Sequence, residues 1–169
     1  MRSQPVERNA SFDESDILVG LALLSAAAGA IHAAVIAEHF REWWLYGTFF
    51  AISAAAQLVW TLLILRRPSR SILIVGAIGN AAFVILWLVT RITGLPVGPE
   101  PWTPEGFALL DVLASIFEAI LVLSTIALLR RHDLPIRPKV RLERPQIAVF
   151  CGALIAITYL AIIGGGHHA

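Results

Sequence analysis

Ionisable side chains occur in two pairs inside very hydrophobic stretches of the chain. His32 and His39 lie seven residues apart in one stretch, and Asp111 and Glu118 lie seven residues apart in another. Seven residues are about two turns of an α-helix, so each pair shares one helix face. Imidazole and carboxylate groups bind transition metals and exchange protons, and they are costly in lipid without a partner. The two pairs therefore predict a polar site inside a membrane protein.

Composition sets the class of protein. The 169 residues are 57% hydrophobic and 15% charged, with a mean hydropathy of +0.75, whereas a soluble domain carries about 25% charge. A span needs about 20 apolar residues and must satisfy its own backbone polar groups, which favours helices. The sequence predicts an all-α integral membrane helix bundle in residues 16–164, between a polar N-terminal arm (1–15) and a His-containing tail (165–169). Its five transmembrane helices are placed near 16–38, 44–65, 71–93, 105–129 and 146–164.

The distribution of basic residues predicts the orientation of the bundle. Nine of the 13 Lys and Arg residues lie in the loops 66–70 and 130–144, which five spans place on one side. Because basic loops stay in the cytoplasm, the N-terminus is expected to be cytoplasmic and the C-terminus extracytoplasmic. We expect a bacterial-type plasma membrane, with these loops against anionic lipid headgroups and no nucleic-acid partner. Aromatic residues expected at the outer interface are Trp43, Trp44, Tyr46 and Trp102.

Two local patterns predict how the outer ends of the third and fourth helices are built. Thr103, Pro104 and Glu105 form a cap, first-turn proline and acidic residue, which is typical of a helix start. Arg91, at the outer end of the third span, is expected to extend its side chain to the headgroups. These patterns place the start of the fourth helix close to Pro104.

Distances along the spans predict the depth of each ionisable group. His32 and Asp111 each lie six residues from the predicted outer end of their span, which is roughly 9 Å at the rise of an α-helix. His39 is expected at the interface, and Glu118 near mid-membrane. A hydrogen bond between His32 and Asp111 would explain both residues structurally.

Uncharged polar residues reach the same mid-membrane depth as Glu118. Ser25, Gln57 and Asn80 each lie 13 residues from the predicted outer end of their span. Such residues usually form hydrogen bonds between membrane helices, so a polar interior shared by several helices is expected. Ser25, Gly29 and Ala33 also form a stripe of small residues that favours close helix packing.

A metal or other cation site in the outer half of the bundle is the first functional hypothesis. Side chains on facing helices build such sites, and imidazole with carboxylate suits a transition metal ion whose identity the sequence leaves open. Glu38 is a further candidate at the mouth, and three glycines would let the tail histidines bend back over it. The candidate metal ligands are His32, His39, Asp111, Glu118, His167 and His168.

Other functions explain the same residues. Haem is less favoured, because a bis-His haem normally needs a second buried histidine on a facing helix. A proton or ion relay through Glu118, Asp111 and His32 is an alternative. The short chain would then act as a homo-oligomer or as an accessory subunit of a larger membrane complex. A structural membrane protein without chemistry also fits the sequence. Enzyme activity gets little support, because the sequence has no phosphate loop, nucleophile elbow or HExxH motif, and the question stays open.

Overall fold

Long helices make up most of the chain that the computed structural model describes, which is residues 14–131 and Gly152. In this part the helices are α1 (Glu14–Glu42), α2 (Trp44–Arg66), α3 (Arg70–Ile92) and α4 (Leu109–Leu129). Each of these four is long and apolar enough to cross a membrane. The first four predicted spans are thus helical, whereas the arm, the tail and, apart from Gly152, the fifth predicted span lie outside the described residues. Orientation in the membrane stays a prediction.

The helices follow one another around the bundle. α1 packs along both α2 and α4, α3 packs on α4, and α2 touches α3 much less. One end, here called the aromatic end, carries Trp43 and the α3–α4 loop of residues 93–108. The other end, the arginine end, carries Arg66, Arg67, Arg70, Arg130 and Arg131. The helix carrying His32 and the helix carrying Asp111 and Glu118 are therefore direct neighbours.

Small residues allow α1 and α2 to approach closely. A methyl group added at Gly29 would lie 3.0 Å from Cβ of Gln57 in α2. The Ser25 hydroxyl oxygen lies 3.0 Å from the backbone oxygen of Gln57. Ala33 is exposed, so only the first two members of the predicted small-residue stripe face α2.

The start of α4 differs from the prediction. Ala108, and not Thr103, precedes the first helical residue. Glu105 stays in the loop, where its backbone N–H donates to the Thr90 carbonyl over 2.9 Å and its carboxylate pairs with Arg91. The cap pattern at Thr103–Glu105 was misleading because a long-range charge pair recruits the acidic residue.

The α3–α4 loop folds back over the aromatic end. The Tyr46 hydroxyl donates to the Val97 carbonyl over 3.2 Å. Gly98 has φ +115, and a side chain there would collide with the Tyr46 hydroxyl. This glycine is therefore required both by the backbone conformation and by the close approach of Tyr46.

Apolar side chains from α1 to α4 fill the half of the bundle near the arginine end. The exposed surface of the helices is also strongly apolar, as expected for contact with lipid. The buried cluster consists of Leu18, Leu21, Ala22, Trp60, Ile64, Leu73, Leu121 and Leu128. Among the most exposed apolar side chains on the helices are Ile52, Val75, Ile78, Ile85 and Leu123.

We predict that Gly76→Ala destabilises the bundle by about 1–3 kcal/mol. The Trp60 indole packs directly on Gly76 and donates to the Ile72 carbonyl over 2.7 Å, so an added methyl group must displace the ring. Reversible unfolding in mixed micelles would measure the change. Gly79→Ala is the matched control in the same helix, because its methyl group meets no atom within 4 Å. This control should be neutral or stabilising by up to about 1 kcal/mol, and equal stability of the two variants would contradict the packing.

Candidate functional site

His32 and Glu118 form a buried pair between α1 and α4. His32 Nε2 lies 2.9 Å from Glu118 Oε1, and the two side chains are 9% and 2% exposed. A single proton can lie on either partner: an imidazolium with a carboxylate, or a neutral imidazole with a carboxylic acid. Both arrangements have zero net charge, which is the form that an apolar environment tolerates best.

The depth of this pair corrects the order predicted from sequence. His32 lies ten residues before the end of α1 at Glu42, and Glu118 lies nine residues after the start of α4 at Leu109. Both are therefore about 14–15 Å along their helices from the aromatic end. The prediction put His32 level with Asp111 and above Glu118 because it ended α1 four residues too early and began α4 four residues too early.

The side-chain amide of Gln57 links the pair to α2 and α3. Its Nε2 donates to Glu118 Oε1 over 3.3 Å and to Asn80 Oδ1 over 2.8 Å. Its Oε1 lies 2.5 Å from the Ser25 hydroxyl, which donates to it. These partners fix the orientation of the amide, with the N–H groups towards Glu118 and Asn80. The polar residues that sequence spacing placed near mid-membrane thus lie in one connected network with His32.

The amide of Gln57 suits either protonation state of the pair. An N–H group can donate to Glu118 Oε1 when this oxygen belongs to a carboxylate. It can also donate when the same oxygen carries the proton that faces His32, because a hydroxyl oxygen keeps a lone pair. Gln57 is 2% exposed, so little water competes for its hydrogen bond to the Glu118 carboxyl group. The network can thus remain intact while a proton moves between Glu118 and His32.

Asp111 belongs to a second cluster, nearer the aromatic end. Its Oδ2 lies 2.5 Å from Arg91 Nη2, and Arg91 Nη1 pairs with Glu105. The Arg91 side chain is 4% exposed and its guanidinium lies 5.7 Å from the Trp87 ring centre. The expected extension of Arg91 to the headgroups is wrong, because two carboxylates hold it inside the protein. The expected hydrogen bond between His32 and Asp111 is also replaced, since each residue has another partner.

A cavity of about 330 Å³ connects the two clusters. His32 and Glu118 contribute to its lining, as do Arg91, Glu105 and Asp111. The Glu105 side chain is half-exposed, so the cavity reaches the surface at the aromatic end. Most of the wall is apolar, and its aromatic members are Tyr46, Phe49, Phe50, Phe83 and Trp87.

Sequence reasoning placed Tyr46 at the outer interface but did not single out the other four aromatic residues of this wall. Phe83 and Trp87 are four residues apart and therefore share one face of α3. Phe49 and Phe50 lie in the half of α2 nearer the aromatic end, and the Phe50 ring centre is 5.7 Å from that of His32. An aromatic face next to ionisable residues was the available signal, but in a membrane helix the same pattern is also typical of packing.

Of the remaining candidate metal ligands, the two in the described part of the chain, His39 and Asp111, have other partners and do not join the pair. His39 lines the cavity, but its Nδ1 lies 2.9 Å from the Val35 carbonyl, and its ring centre lies 3.9 Å from that of Phe50 with the two rings tilted by 44°. Across residues 14–131, no three His, Cys, Asp or Glu side chains come together as a set that could hold a metal ion. Glu38 is exposed on α1, and His167 and His168 lie outside the described residues.

Comparison of the chain with protein-family models, with curated proteins and with solved structures gives no match.

We predict that Asp111→Asn destabilises the protein by about 2 kcal/mol, because a buried guanidinium loses a charged hydrogen-bond partner. Glu105→Gln should cost less than about 1 kcal/mol, since the Glu105 side chain is 50% exposed and that of Asp111 is 24% exposed. Chemical unfolding in micelles would compare them. A larger effect of Glu105→Gln than of Asp111→Asn would contradict the assignment of Asp111 as the principal partner of Arg91.

Proposed function

We propose that this chain is a membrane protein that binds an exchangeable cation, a proton, at the His32–Glu118 pair. The observation that carries the proposal is the contact of 2.9 Å between two buried ionisable groups that also line a cavity. Buried ionisable residues in membrane helices typically mark proton or ion sites, and His changes its protonation state near neutral pH.

The chemistry of the pair favours a proton over a metal ion. One proton fits between the two side chains without any further ligand, and its movement from one to the other leaves the net charge unchanged. A transition metal usually takes at least three protein ligands. The described residues supply two ionisable ones at this point, His32 and Glu118. A metal ion is the second candidate, because the same two atoms are close enough to contact one ion, and His167 or His168 would have to complete its ligand set.

The arrangement favours exchange with one side of the membrane. The cavity leads from the pair to the aromatic end, and the predicted orientation makes that end extracytoplasmic. Towards the arginine end, buried apolar side chains from α1 to α4 pack together. We therefore propose a site that stores or senses protons from one side, and not a channel that conducts them.

Infrared difference spectroscopy of the full-length protein in nanodiscs would test this proposal. A change of pH should produce coupled signals from a carboxyl C=O stretch and an imidazole ring, and Glu118→Gln should remove the carboxyl signal and alter the imidazole signal. Glu38→Gln, which changes an exposed carboxylate on α1, is the matched control and should leave both signals in place.

Two results would contradict proton binding at the pair, and a third would contradict access from one side only. Identical difference spectra for the wild-type protein and Glu118→Gln would show that the pair does not exchange protons. A stoichiometric metal in the purified protein that is lost in Glu118→Gln would replace the proton by a metal ion. Steady proton conduction in proteoliposomes would contradict the one-sided site while leaving Glu118 as a proton-binding group.

A further inference from the structure

The cavity above the His32–Glu118 pair has walls that suit a particular class of organic ligand. We propose that it binds an organic cation, an amine or quaternary ammonium with a small apolar body. The proposal goes beyond proton binding at the pair, because it rests on the aromatic wall and on the charges around Arg91. A cavity of about 330 Å³ lies at the lower end of the range for small-molecule sites.

Aromatic rings from α2 and α3 converge around the inner part of this cavity. The His32 ring centre lies 5.7 Å from that of Phe50 and 5.6 Å from that of Phe83. The Phe49 and Phe83 rings meet edge to face at 6.0 Å. Because ring faces carry negative electrostatic potential, a group of aromatic side chains that line one cavity can bind a quaternary ammonium group.

The Trp87 ring lies one helical turn before Arg91 in α3 and within cation–π distance of its guanidinium. The Arg91 guanidinium lies 5.7 Å from the Trp87 ring centre. Trp is the side chain that binds cations most strongly through its face. Both residues line the cavity, and Trp87 is therefore the ring of this wall best suited to contact a ligand cation.

The charges of the lining favour a cation over a neutral molecule. Arg91 is paired with two carboxylates, those of Glu105 and Asp111, and compensates one of them. The His32–Glu118 pair adds no net charge when it shares one proton. With His39 neutral, the lining retains one net negative charge, which attracts a cation towards the half-exposed mouth of the cavity at Glu105. A neutral ligand would contact the rings but gain nothing from this charge.

Binding of benzyltrimethylammonium to the full-length protein in nanodiscs of zwitterionic lipid would test the proposal. This probe keeps its charge at every pH, and neopentylbenzene is its neutral isostere. Isothermal titration or equilibrium dialysis, corrected with protein-free nanodiscs, should show saturable binding of the cation. Its affinity should exceed that of the isostere by about tenfold or more, in line with a desolvated cation–π contact.

Substitutions in the wall should separate the ring contribution from the charge contribution. Trp87→Leu should weaken binding of the cation by about tenfold, whereas Trp87→Phe should retain part of it. Trp44→Leu is the control, because Trp44 is 62% exposed at the same end and does not line the cavity. Glu105→Gln removes the net negative charge of the lining, while Asp111 still pairs with Arg91. This substitution should weaken binding of the cation several-fold and leave binding of the isostere unaffected.

Three outcomes would overturn the proposal. Equal binding of the probe and its isostere would make the cavity a site for neutral lipid-soluble molecules. Binding that does not saturate above protein-free nanodiscs would leave no ligand site of this class. Unchanged affinity in both Trp87→Leu and Glu105→Gln would place the cation elsewhere. Because binding of the probe is measured directly, these outcomes are independent of whether Glu118 exchanges protons.

Discussion

A carboxyl group in the middle of an apolar bundle must have a partner, and Glu118 obtains one from His32. An isolated carboxylate there would carry a desolvation penalty of several kcal/mol, so α1 and α4 must lie side by side with these residues at one level. The same carboxyl group accepts from Gln57, which in turn contacts Ser25 and Asn80. One buried acid therefore relates all of the described helices to one another.

Apolar packing could not select this arrangement alone. Lipid tails are as apolar as leucine, so burial of the cluster around Leu18, Ile64 and Leu73 gives little preference for one vertical register over another. Hydrogen bonds between side chains of two helices are directional, and they are lost when one helix shifts along the other by one turn. Small residues then permit the required closeness, as Gly29 does against Gln57 and Gly76 does against Trp60. The polar network and the tight glycine contacts are thus two parts of one packing solution.

The helix bounds could be predicted from sequence wherever local signals mark them. The partners within the site could not, because they are decided by contacts between residues far apart in the chain. The ends of α2 and α3 agree with the predicted spans within one residue, because Trp44 and the turn at 67–69 bound the apolar runs. α4 begins later because Glu105, in the loop between α3 and α4, pairs with Arg91 near the end of α3. That error in one helix start, with the early end given to α1, displaced Glu118 below its true partner. Spacing along a helix therefore identified the polar residues but not which of them meet.

A double-mutant cycle between His32 and Glu118 tests most directly whether this pair organises the bundle. The unfolding free energies of the wild-type protein, His32→Leu, Glu118→Leu and the double variant would be measured in the same micelles. We expect the double variant to be less destabilised than the sum of the single variants, with a coupling energy of about 1–3 kcal/mol, because each single variant leaves a buried polar partner unpaired. Additivity within about 0.5 kcal/mol would contradict the account, since the two side chains would then not depend on each other.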